Sequence, residues 1–226
     1  MFVVNHAVIQ SVPNNHKIIK MKRGKEMNKE QLKAKYGDVE VFVVSNELTK
    51  DFDTFVELDK DNKYSDIFNS VGKFIPRYDA ELNFEHRQII PYCLVKCNDN
   101  YFITRRLEGD ARLTGKYSLG VGGHLERVDG TDNDYIKSGM MRELDEEIDT
   151  KSSIKSIDLI GMICSNNTEV DSTHLGLIYV VTIDGLDVSV KETETLIGDW
   201  ISKEDLLKFE GELESWSKIS LEQFIK

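Results

Sequence analysis

Arg142-Glu143-Leu144-Asp145-Glu146-Glu147 is the stretch that decides how this chain reads. Glu143, Glu146 and Glu147 stand at i, i+3 and i+4, and on a helix that spacing puts three carboxylates on one side. Like charges so placed repel one another and ask for a cation. Oxygen ligands at this density suit Mg²⁺ or Mn²⁺ rather than zinc. A Glu-rich run is more often a solvated helix face. A string of this kind, however, arises by chance in on the order of one window in 10⁵, and a Gly122-Gly123 pair precedes it. A metal site is the expectation.

The flanking sequence predicts where that helix packs. Ile136, Met140, Leu144 and Ile148 recur every fourth residue and form an apolar stripe, away from the acids. Asp134 is the expected N-cap. Upstream, residues 89–97 and 101–105 read as two strands, joined at the turn signal Asn98-Asp99-Asn100. A loop over residues 108–123 follows. Residues 157–164, 174–183 and 196–201 read as further strands, and 203–209 and 216–225 as helices. Nearer the start, residues 39–45 read as a strand and 64–71 as a helix. Lysine-rich residues 17–35 carry only a weak helical pattern.

This arrangement resembles the Nudix hydrolases, whose signature reads Gly-x5-Glu-x7-Arg-Glu-apolar-x-Glu-Glu-x-Gly. Gly123, Asp134 and Arg142 to Glu147 fill those places here. The run from Gly123 to Arg142 is longer than the signature, and 128–132 reads as an inserted turn. Asp134 replaces the middle Glu when counted back from Arg142, with Glu126 and Asp132 as rivals. Asp149 stands where the last Gly would be, and can take the left-handed conformation of a helix C-cap at some cost. The wording from Arg112 to His124 is similar to a bacterial branch labelled predicted phosphoesterase, a label that carries no substrate.

The resemblance implies an α/β (α+β) fold, the Nudix α/β/α sandwich with a mixed β-sheet, over residues 89–226. Residues 1–88 are expected to form a smaller N-terminal region packed on it. It implies a divalent-metal-dependent hydrolase of a nucleoside diphosphate linked to another moiety, with Mg²⁺ or Mn²⁺ as cofactor. The metal ligands would be Glu143, Glu146, Glu147 and the carbonyl of Gly122. Arg142 would hold a glutamate in place, and Glu143 would serve as ligand or base. A further acid from a later loop would act as base, with Glu194 preferred and Glu169 and Asp171 next. Arg105, Arg106, Arg112, Lys116, Gly123 and His124 are the candidate substrate contacts, needed because the rest of the chain is acidic. Tyr117 would stack on a base or pack. The alternatives are a non-catalytic Nudix-like nucleotide-binding module and a diphosphate isomerase, which would need a reactive cysteine.

Composition bounds the rest. At 226 residues with 40% hydrophobic content the chain can bury a full core. A net charge of −11 argues against non-specific nucleic-acid binding and against anionic membranes. No apolar run approaches a membrane span. The three cysteines, Cys93, Cys97 and Cys164, make no disulfide framework and fit a core role, so cytoplasm is the expected compartment. The partner expected is a small-molecule diphosphate, and a homodimer is common in the family.

Overall fold

The computed structural model describes residues 27–225 apart from 53, 108–113, 131–133 and 167–168. Short strands and helices alternate along it. The elements are α1 (Lys29–Tyr36), β1 (Glu40–Ser45), β2 (Phe55–Glu57), α2 (Tyr64–Val71), β3 (Lys73–Pro76), α3 (Arg77–Ala80), β4 (His86–Cys97) and β5 (Asn100–Arg106). They continue with β6 (Tyr117–Ser118), β7 (Gly120–Val121), α4 (Tyr135–Glu147), β8 (Ile148–Thr150), β9 (Ile154–Ile163), α5 (Glu169–Thr173) and β10 (His174–Ile183). Last come β11 (Val188–Val190), β12 (Leu196–Ser202), α6 (Lys203–Leu206) and α7 (Ser215–Ser220).

Among the described residues one ten-stranded sheet runs β12-β5-β4-β10-β9-β2, with β1, β3, β6 and β7 joined at its margins. The long strands β4 and β10 lie parallel, from Gln88↔His174 to Lys96↔Thr182, and the other pairs are antiparallel, so the sheet is mixed. β4 and β5 form the expected hairpin, and Asn98 takes the positive φ (55°) that its turn needs. β1 pairs with β4 at Val43↔Gln88, and β2 pairs with β9 at Val56↔Met162, so strands before residue 88 extend the same sheet. β2 was not legible as a strand, because three residues are too few to show alternation.

Alternation along β4 and β10 builds a core on each face. On one face Ile89, Cys93, Val95, Leu175 and Leu177 pack against Ile136, Met140 and Leu144 of α4. Each such side chain contributes about 1.5–3 kcal/mol by leaving water. On the other face Leu94, Ile163 and Ile178 meet Leu206, Leu213, Leu221 and Ile225 of the C-terminal helical segment. The result is an α/β/α sandwich. All three cysteines are buried and free, as core residues would be.

The helix that carries the acids starts as expected and ends otherwise. Asp134 accepts from Lys137 N at 3.2 Å and so caps α4, while Asn69 of α2 donates to the same carboxylate at 2.9 Å. At the other end Ile148 is extended (φ −127°), and Asp149 pairs with Ser189 in β8·β11. Asp149 is therefore not a left-handed cap. The chain leaves the helix straight into a strand, which needs no turn residue.

Candidate active site

Arg142 organises the acids. Its Nη1 donates to Glu143 Oε1 and to Glu146 Oε2, each at 2.8 Å. Its Nε and Nη2 donate to the two oxygens of Asp129 at 2.6 and 3.0 Å, and Nη2 also reaches the carbonyl of His124 at 2.9 Å. Asp129 is the partner that sequence reasoning missed, inside the stretch read as inserted filler. Counted forward from Gly123, five residues separate the glycine from Asp129, the spacing of the signature's middle Glu. Counting back from Arg142 misplaced that position on Asp134, which is occupied with capping α4. The extra residues thus follow Asp129 rather than contain it. A Cβ at Gly139 would lie 2.3 Å from Leu125 and 2.6 Å from Asp129, so only glycine lets the turn sit this close to α4.

The glycine pair packs against the acids. A Cβ on Gly123 would meet Glu143 Oε2 at 2.3 Å, and one on Gly122 (φ +152°) would meet the Pro91 carbonyl at 1.9 Å. Burial raises the Glu143 carboxyl to about 7, with Arg142 opposing the shift and Glu146 and Glu147 adding to it. Burial and then the charge of Glu192 raise Glu147, while Arg106 pulls it down. The donors are hard oxygens that repel one another, which fits a hard divalent cation. Glu143 and Glu146 each give one oxygen to Arg142 and keep the other.

A cavity of about 670 Å³ opens beside this helix. Glu147, Gly122, Gly123, His124, Arg106 and Lys116 all line it. Ile90, Val170, Leu213 and Trp216 also line it, an apolar contribution that the sequence did not flag. Arg105 is not brought here. Alternation along β5 turns it to the other face, over the ring of Tyr117 at 5.5 Å. Tyr117 itself packs edge-on against Phe209, so of its two expected roles packing holds. Arg112, Asp132 and the side chain of Glu169 lie outside the described residues.

Among the described residues the later acid that acts on Glu147 is Glu192, not Glu194. The backbone explains it: Lys191 N donates to Glu147 O at 2.9 Å and fastens that loop to the end of α4. Asp171 also lines the cavity. His124 and His174 meet there, Nε2 to Nε2 at 3.2 Å, and burial pushes both rings below the usual histidine range.

No protein-family model matches the chain. Protein YmaB of Bacillus subtilis (strain 168) is 33% identical over 150 residues, covering 63% of this chain and 73% of that protein. The crystal structure of Tm1382, a protein assigned to the Nudix hydrolases, is 31% identical and superposes with a TM-score of 0.72. The match covers 82% of this chain and 98% of that one. Likeness over nearly the whole of Tm1382, with the arginine-glutamate helix and its glycine pair set together at one cavity, places this chain in the Nudix hydrolase family.

Proposed function

We propose that this Nudix hydrolase cleaves a nucleoside diphosphate linked to another moiety, at the glutamates of α4, with Mg²⁺ or Mn²⁺ bound. Family membership carries a pyrophosphohydrolase-type activity; the metal and the substrate class are the proposal. One observation carries it: Glu147 faces the same cavity as Arg106 and Lys116. A metal-type carboxylate beside two cations is what a diphosphate needs.

Glu143, Glu146, Glu147 and the Gly122 carbonyl would hold the ion. When bound, it supplies charge neutralisation for the diphosphate and lowers the pKa of a water. The chain does the rest. Arg142 keeps Glu143 and Glu146 oriented, itself fixed by Asp129. Arg106 and Lys116 bind phosphate oxygens, and His124 and Gly123 border the same space. Glu192, beside Glu147, takes the proton from the attacking water. Trp216, in the apolar part of the lining, offers a face for the nucleoside. The segment before residue 89 is proposed to support this lining as a smaller N-terminal region. The isomerase reading is disfavoured by the burial of Cys93, Cys97 and Cys164, which also raises Cys93 to about 12 and lifts Cys164.

The test is turnover of nucleoside triphosphates, nucleotide sugars, dinucleotides and prenyl diphosphates with Mg²⁺ or Mn²⁺, beside Glu146→Gln. Nucleotide-derived turnover that the substitution abolishes is the expected result. Activity that survives Glu146→Gln overturns the ligand assignment, and turnover of prenyl diphosphates alone overturns the substrate class.

A further inference from the structure

We propose that Glu81, His124 and His174 hold a transition-metal cation of the Zn²⁺ class, at a second metal site on the cavity wall, apart from the glutamates of α4. One ligand atom from each of the three lies within 4.8 Å of the other two. They come from separate parts of the chain: Glu81 follows α3, His124 follows the glycine pair, and His174 opens β10.

The separation of the two imidazoles suits a metal. Zinc–nitrogen bonds of about 2.0–2.1 Å at a tetrahedral angle put two ligand nitrogens roughly 3.3 Å apart. The Nε2 atoms of His124 and His174 are 3.2 Å apart. The tautomer of His174 is also fixed. Its Nδ1 lies 2.7 Å from the Val170 carbonyl, which can only accept, so Nδ1 carries the proton. The Nε2 lone pair is then left facing His124. A ligating histidine is normally held in this manner, by a carbonyl on its other nitrogen.

The surroundings brace these ligands. Arg87, buried, donates through Nη1 to the carbonyls of His174, Asp171 and Ser165, which fixes the start of β10. Gln88 is the register partner of His174 and lies on the same side of β4 as Ile90 and Tyr92, which line the cavity. It is 1% exposed, yet neither its amide oxygen nor its nitrogen has a partner. A buried amide in that condition calls for a bound group or water beside it. Arg77 works against a cation, since its Nε lies 3.5 Å from Glu81 Oε1. That opposition selects an ion that binds imidazole strongly, Zn²⁺ above Mg²⁺. Both imidazoles line the cavity, so a fourth coordination position would face it.

The rival arrangement is a plain hydrogen bond between the two neutral rings, and metal binding separates the two. The full chain carrying Glu143→Gln, Glu146→Gln and Glu147→Gln, which silences the three glutamates of α4, is stripped with chelator. It is then titrated with Zn²⁺ by calorimetry and with Co²⁺ by visible absorption. We expect one Zn²⁺ per chain, and the intense visible bands of tetrahedral Co²⁺ with nitrogen ligands. Adding Glu81→Gln should weaken Zn²⁺ at least tenfold. Melting should rise by about 5 °C or more at a hundredfold excess of Zn²⁺ over its Kd. No Zn²⁺ bound, an affinity that Glu81→Gln leaves unchanged, or only the weak bands of octahedral Co²⁺ would overturn the site. If Glu81→Gln fails to fold, the Co²⁺ spectrum of the chain with the intact triad decides alone. None of these readouts depends on catalysis at α4.

Discussion

Asp129 takes both Nε and Nη2 of Arg142, at 2.6 and 3.0 Å, with only 1% of its own side chain exposed. It is the base of a relay: Asp129 fixes the arginine, and the arginine fixes Glu143 and Glu146. Asp129→Asn keeps the shape and loses the charge. Partners of this kind typically change metal affinity or activity by about 10–100-fold, and we expect Mn²⁺ affinity to fall within that range. Stability should drop by about 1.5–3 kcal/mol, toward the lower end because Arg142 remains partly exposed. Calorimetry with Mn²⁺ and urea unfolding check the two numbers separately. An unchanged Mn²⁺ affinity would sink the relay.

The adjacent glycines should respond differently to the same substitution. Gly122→Ala drives a Cβ into the Pro91 carbonyl, which is backbone and cannot swing away. A loss of about 1–3 kcal/mol is expected, read as a lower Tm. Gly123→Ala meets instead the end of the Glu143 side chain, which can move. Its Tm should stay close to that of the native chain while Mn²⁺ affinity falls. Equal Tm losses for both would mean that Gly123 serves the turn rather than the carboxylate.

The raised carboxyl of Glu143 predicts a pH dependence. With no metal added, the folded chain binds this proton more tightly than the unfolded chain does. Its stabilising contribution is therefore full below the ordinary glutamate range and is lost as pH climbs through about 7. A metal needs the proton gone. Mn²⁺ affinity should rise by up to about tenfold per pH unit toward 7 and level off above it, Glu147 adding in the same direction. Calorimetry in buffers of different ionisation enthalpy should show proton release near pH 6 that vanishes near pH 8.5. Binding without proton release at pH 6 would contradict the buried, raised carboxyl.

What the sequence disclosed and what it hid follow from range. The α4 stripe, the Asp134 cap, the β4–β5 hairpin and the helix at α2 are written in neighbouring residues, and local periodicity reads them. The link of Arg142 to Glu143 and Glu146 is also local, one and four residues away. Asp129 could have been found by counting forward from Gly123 as well as back from Arg142. The pairing of His124 with His174 and the place of Trp216 on the same cavity as Glu147 depend on parallel β4 and β10 and on the C-terminal segment packing on the sheet. No spacing rule records those. Arg105 and Arg106 show the finest grain. They are adjacent in sequence, yet strand alternation sends one to the cavity and the other to the ring of Tyr117.

The same logic separates Glu192 from Glu194. Both are exposed acids in one loop, and the sequence favoured Glu194 for its place before Trp200. Lys191 N, bonded to Glu147 O, brings Glu192 to the end of α4, and Thr195 Oγ1 holds the Glu192 carboxylate at 3.1 Å. Its charge raises Glu147. Glu192→Gln should lower kcat by about 10²–10⁴-fold, the range for loss of a general base, with KM little changed. Glu194→Gln should stay within about twofold of the native rate. Metal binding adds a readout that separates the base from a passive neighbour: the charge of Glu192 raises Glu147, so its removal should ease Mn²⁺ binding at low pH in either case. If kcat holds while only that metal affinity changes, Glu192 acts by charge on Glu147. The base must then be sought at Asp171, which lines the cavity with Glu147.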